Sequence, residues 1–298
     1  MQTYVNILYG DESVLTNDSA LQTIAKQVER SRILYEAGQI AVSEYAQMQS
    51  QFASQQYALV SAQNVVKSLR LELCQLMNIE PKYDVTLSSS SCGEEVILSP
   101  LPDYKEIYRL ATLRRPEIRA GELMISQAES SVKVARSGYY PTISVGAGIS
   151  TVNEEKSPHS VGVQLKENWS NSAGLSFNVP ILSGRQNKSA LEKAKLRLES
   201  SKLDLENSRN NLLWTIENYW LEAKKAQSSY VAAREKLSAS QTSYNLVEQQ
   251  YDVGLKTPTD LLTQRDLLLT AQEEYIKAKY QTIYNINMLR FYAGEPLY

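Results

Sequence analysis

Side chains able to do covalent or proton-transfer chemistry are few and scattered. His159 is the single histidine, and Cys74 and Cys92 are the only thiols in 298 residues. A metal role for His159 needs partner ligands at matched spacing, which the sequence does not offer, so it reads as an exposed loop residue. The two cysteines are free to pair in an oxidising compartment, but two distant thiols decide nothing. Gly146-Ala-Gly148 lies inside a strand pattern, whereas a dinucleotide loop opens a helix. With no convergent acid, base or nucleophile, no enzyme activity, catalytic residue, metal or cofactor is expected. A net charge of −2 and a pI of about 5.7 argue against nucleic acid as a partner. No run of 18 apolar residues marks a membrane helix, and Met1–Gly10 lacks the basic region and cleavage site of a signal peptide.

The informative stretch is Thr142–Val179. Ile143, Val145, Ala147 and Ile149 alternate with Thr142, Ser144, Gly146, Gly148 and Ser150. After a polar loop, Asn153–Asn168, the alternation resumes. Trp169, Ala173, Leu175, Phe177 and Val179 share one face, interrupted by Asn171, against Ser170, Ser172, Gly174, Ser176 and Asn178. Strand side chains point to opposite faces in turn, so each run is a ribbon with one oily and one wet side. Each is about 11 residues long, close to the 9–11 that cross a bilayer at a tilt. The Ser, Thr, Asn and Gly face suits a watery lumen. Two readings stand: a hairpin half-buried on a soluble core, or part of a barrel that other chains and residues complete, since lipid does not tolerate unpaired strand edges.

Everything else reads as helix. Residues 1–36 form one, weakest over Asp11–Asp18 and further weakened by Gly10. Tyr35-Glu-Ala-Gly38 ends it, and Ser43-Glu-Tyr-Ala opens a second helix to about Asn78, making an antiparallel hairpin. Pro81–Pro102 is a linker. Asp103–Ser137 is helical, with Pro116 either kinking it or starting a new helix. The longest helix spans about Arg185–Gln250 without Pro or Gly. It carries a seven-residue ladder from Leu191 through Leu198, Leu205, Leu212, Tyr219, Ala226, Ala233, Ser240 and Val247. From Ile216 onward, Ala223, Tyr230, Leu237, Tyr244 and Tyr251 supply the companion positions of a coiled-coil seam. Tyr251-Asp-Val-Gly254 stops it, and Thr257-Pro-Thr-Asp260 opens a last helix to about Tyr292. That helix has its own ladder at Leu261, Leu268, Tyr275, Thr282 and Leu289. The chain has 19 Tyr against 3 Phe, an excess that suits helices packed around water rather than a dry core.

The chain also repeats itself. Tyr35-Glu-Ala-Gly38 with Glu44 matches Tyr251-Asp-Val-Gly254 with Asp260, 216 residues on. A repeat this long is one structural unit used twice. The second unit holds a short helix, a hairpin, a long helix, a turn and a returning helix. The first shows only its last parts, so its missing start is expected about 113 residues before Met1, with a first short helix, a first β-hairpin, the upper half of a long helix and any signal peptide. The expected segments are 1–80 (first helical hairpin), 81–102 (linker), 103–140 (helix), 141–180 (β-hairpin) and 181–298 (second helical hairpin).

These features together resemble the outer-membrane efflux (TolC-like) family. They are Pro141 ahead of the strand, Pro180-Ile-Leu-Ser-Gly184 after it, Arg115-Pro116-Glu117-Ile118, the two glycine turns and the duplication. The resemblance implies a mainly α fold, with long coiled-coil hairpins forming a periplasmic tunnel and one transmembrane-type β-hairpin contributing to an oligomeric barrel. Family protomers give four strands each to a trimeric twelve-stranded barrel, and this chain has two. It implies a passive exit duct in the outer membrane, most of it periplasmic, serving tripartite efflux or type I secretion. Its partners would be two further copies, a periplasmic adaptor (membrane-fusion) protein, an inner-membrane transporter and outer-membrane lipid. The competing function is a periplasmic adaptor or coiled-coil scaffold, which should show more β segments of soluble type.

Site residues follow from the same resemblance. Ile143, Val145, Ile149, Leu175, Phe177 and Val179 would face lipid. The turns holding Gly38, Gln39, Gly254 and Leu255 would dock the adaptor, or else be plain helix ends. Tyr251 and Lys256 on the second hairpin would latch to Ser43 and Glu44 on the first, closing a gate. Asp260 falls where the family has a carboxylate ring; Thr263 replaces a second carboxylate, so that ring should be less negative. The alternative is that Lys256 and Glu44 are solvated tip charges.

Overall fold

In the computed structural model, which describes residues 1–80, 87, 97–156 and 158–297, the helices follow the periodicity closely. The elements are α1 (Gln2–Glu36), α2 (Val42–Leu76), α3 (Tyr104–Arg114), α4 (Pro116–Ser137), β1 (Thr142–Ser150), α5 (Val161–Glu167), β2 (Ser170–Asn178), α6 (Gln186–Asp252) and α7 (Pro258–Ala293). Two units result: one holds Met1–Arg114 with Leu212–Tyr298, the other Arg115–Asn211.

In the first unit, α1 and α2 form a hairpin and α1 also packs on α7. Ile24, Met48 and Leu262 meet in a core fed by all three helices, with Leu21, Val28 and Phe52 beside them. Both expected ladders face inward. Tyr244, Leu261 and Leu268 bury together, and Ile216, Ala223, Leu289 and Ala293 close on Ile107 and Ala111 of α3. α1 runs unbroken through Gly10, which permits a close contact. A Cβ there would stand 2.7 Å from Val66 Cγ2 of α2, so only glycine lets the two helices approach this closely. Cys74 is buried, while Cys92 and most of the 81–102 linker lie outside the described residues. The linker's last part is tied down: Gln227 Nε2 donates to the carbonyls of Ile97 and Ser99 at 2.8 and 2.9 Å.

In the second unit, Pro116 does not kink a helix but opens a new one, at N1 or N2 of α4 after an extended Arg115. β1 and β2 pair antiparallel with Val145 opposite Leu175 and Ile143 opposite Phe177. Each strand has 9 residues rather than about 11, and in β2 Trp169 and Val179 fall outside the ladder. The connection between them is not all loop, since α5 occupies part of it. Buried Gln164 ties that segment together, accepting from Glu154 N at 2.7 Å and donating to the His159 carbonyl at 2.8 Å. Seven residues are too few to print a helical period on the sequence.

Candidate functional site

The two interhelical turns are built alike. In the first, Gly38 has φ +71° and Gln39 N donates to Leu34 O at 2.8 Å. In the second, Gly254 has φ +77° and Leu255 N donates to Gln250 O at 2.8 Å. Each is a left-handed helix end with a six-to-one bond, which glycine adopts without strain. Nothing lies within 4 Å of where a Cβ would stand on either glycine, and Leu255 is exposed.

After the turns the repeats diverge. Thr257 and Asp260 form a full capping box: the Asp260 carboxylate accepts from Thr257 N at 3.1 Å and Thr257 Oγ1 at 2.9 Å. Asp260 N in turn donates to Thr257 Oγ1 at 3.2 Å. The backbone bond from Thr257, then its hydroxyl, holds the Asp260 carboxyl below the usual range, and Lys256 adds to this. In the first repeat Ala41 stands in the cap position and offers no side-chain oxygen, so Glu44 is not held in such a box. Asp260, expected by resemblance in a carboxylate ring, also closes the N-terminal cap of α7.

The assigned gate residues are not joined to one another within the protomer. Neither Tyr251 nor Lys256 hydrogen-bonds Ser43 or Glu44 among the described residues. Tyr251 instead lies under Arg30 of α1, whose guanidinium carbon is 5.5 Å from the ring centroid. Arg30 also pairs with the Asp252 carboxylate and donates to the Asp252 carbonyl. Nothing in the local pattern of residues 27–36 marks Arg30 as a partner for α6.

Further polar links join the hairpins. Gln27 Nε2 donates to Tyr244 Oη at 3.2 Å, and that hydroxyl donates to Glu248 at 2.8 Å. Burial, with the Glu248 bond, pushes the Tyr244 hydroxyl up to about 12. Lys279 pairs with Glu12 at 2.8 Å. Arg265, only 3% exposed, donates through Nη2 to Gln55 Oε1 at 2.9 Å, and Gln55 donates to Asn17 Oδ1 at 3.0 Å. Burial lowers the Arg265 pKa. Among the described residues no three His, Cys, Asp or Glu side chains gather closely enough to hold a metal.

The strands present a different surface. All nine residues of each are exposed, Val145 to 81% and Leu175 to 60%. Ile143, Ile149, Phe177 and Val179 are likewise open. The register puts Ile143, Val145, Ala147 and Ile149 opposite Phe177, Leu175, Ala173 and Asn171, so one face is apolar except at Asn171. Among the described residues none buries this face, contrary to the half-buried soluble alternative. Among the described residues no helix is long and apolar enough to cross a membrane.

Long coiled-coil helices with an uncovered amphipathic β-hairpin define the fold class of outer-membrane efflux proteins. Residues 107–295 match the outer membrane efflux protein family, and the chain belongs to it. The outer membrane protein TolC of Escherichia coli is 22% identical over 95% of the chain and 58% of its own length. The outer membrane efflux protein BepC of Brucella suis is 21% identical over 94% of the chain and 59% of its own length. The chain thus spans about three-fifths of these relatives. The crystal structure of the outer membrane protein VceC from Vibrio cholerae superposes with a TM-score of 0.79 at 17% identity, over 100% of this chain and 69% of that one.

Proposed function

We propose that this chain is part of a passive exit duct in the outer membrane, serving efflux or type I secretion. Three copies form the duct, with the strands in lipid and the helical body in the periplasm. A periplasmic adaptor docks on the turns at Gly38–Gln39 and Gly254–Leu255 and links the duct to an inner-membrane transporter. Ser43, Glu44, Tyr251, Lys256 and Asp260 lie at or just beyond those turns and act electrostatically on a gate there. The roles are structural, with no bond made or broken.

The observation that carries this reading is the uncovered apolar strand face in a member of this family. An apolar ribbon left open in water invites aggregation, while in lipid it is the ordinary outer wall of a barrel. Ser144 opposite Ser176 and Gly146 opposite Gly174 leave the other face small and polar, as a lumen requires. The adaptor or scaffold alternative offers no use for such a hairpin. The test is a paired substitution in the full-length protein, read as heat-resistant assembly in outer membranes. Val145→Arg or Leu175→Arg should impair assembly, at about 2–4 kcal/mol near the bilayer midplane. Ser144→Asn or Ser176→Asn should be tolerated. Equal tolerance of both faces would rule the barrel out.

A further inference from the structure

The gate reading gives Tyr251 a partner on the tip of the first hairpin, yet within the protomer its ring already has one. Arg30 crosses from α1 to the last turn of α6 and makes three unlike contacts there. Its Nη1 pairs with the Asp252 carboxylate, its Nη2 donates to the Asp252 carbonyl at 3.3 Å, and its planar group lies over the Tyr251 ring. Each contact answers a need of a helix end. Carbonyls in the last turn lack intrahelical donors, and a cation is favoured at the negative end of the helix dipole. A guanidinium can serve carboxylate, carbonyl and aromatic face together; an ammonium, a compact point charge, matches that geometry poorly.

We infer that Arg30 is the latch between the two hairpins of each protomer, holding Asp252 and Tyr251 against α1, and that the tip opens when Arg30 lets go. This rests on the gate reading above. It changes which residue does the holding: Lys256 is not bonded to Ser43 or Glu44 within the protomer, whereas Arg30 grips the α6 end directly. It also gives Tyr251 a role that its ring, not its hydroxyl, performs. Because the Arg30 and Asp252 side chains are 43% and 50% exposed, salt should screen the latch.

The test is single-channel conductance of the full-length protein in planar bilayers, without adaptor. A surface pair is weak alone, but three copies act together, so Arg30→Met and Asp252→Asn should each raise conductance about threefold or more. The double variant should add nothing to Arg30→Met, which already removes all three contacts. The exchange Arg30→Asp with Asp252→Arg should return conductance toward wild type, which a merely structural role for Arg30 would not do. Tyr251→Phe should conduct like wild type, since the ring is kept. The difference between Arg30→Met and wild type should shrink as salt rises. If Arg30→Met conducts like wild type while Lys256→Ala with Tyr251→Phe opens the channel, the inference is overturned and the gate reading survives. If Arg30→Met opens it but the exchange does not restore it, packing rather than the pair is responsible and the inference again falls. If every variant conducts like wild type, the gate reading falls as well.

Discussion

Gln55 is the only hydrogen-bond acceptor given to the buried guanidinium of Arg265 among the described residues, at 2.9 Å from Nη2, and Nη1 has none. A charge taken out of water with so little compensation is costly, and removing its last acceptor should cost more. Gln55→Leu is therefore expected to destabilise the helical body by about 3 kcal/mol. Adding Arg265→Met, which removes the charge and keeps the volume, should recover most of that loss. Denaturant unfolding of the three variants decides it; a harmless Gln55→Leu would mean the guanidinium is solvated.

Gly10 offers a prediction whose sign depends on its neighbour. Alanine is favoured over glycine in a helix by about 1 kcal/mol, but here its Cβ would meet Val66. Overpacking costs about 1–3 kcal/mol, so Gly10→Ala should be neutral to destabilising. In a Val66→Ala background the obstacle is gone, and the same change should stabilise by about 1 kcal/mol. Thermal unfolding of the four chains gives the coupling directly; simple additivity would show that the close approach is not real.

At the second turn, Gly254 has left-handed backbone and open space around it. Substitution there meets strain alone. Gly254→Val should lose about 1–2 kcal/mol, and Gly254→Asn much less, because Asn tolerates this conformation. If the turn docks an adaptor, cross-linking yield from Leu255 should fall with Gly254→Val and hold with Gly254→Asn. An adaptor captured only from the 81–102 linker would contradict the docking site.

Acid should loosen the start of α7. The Asp260 pKa is lowered in the folded chain, so the stability it contributes is fully present above its unfolded value of about 3.9. That contribution is lost as pH falls through the lower folded value. Amide exchange in the first turn of α7 should therefore accelerate below about pH 4, while the first turn of α2, where Ala41 supplies no cap, shows no such step from a capping box. Thr257→Ala should abolish the step.

Patterns set by backbone geometry were legible in the residues. The helix periods, the two glycine turns, the alternation of the strands and the duplication all rest on local spacing. The match is close: Glu36 and Asp252 end corresponding helices, and Val42 and Pro258 open them, each 216 residues apart. The latch was not legible. Arg30 is one of several charged residues between Gln27 and Glu36, and its contact with Asp252 depends on how α1 and α6 are rotated and set in register, which no local period encodes. The same holds for Gly10 against Val66 and for Arg265 against Gln55. Sequence spacing determines which face a helix buries; only the packed structure decides which residues of two faces, far apart in the chain, stand opposite each other.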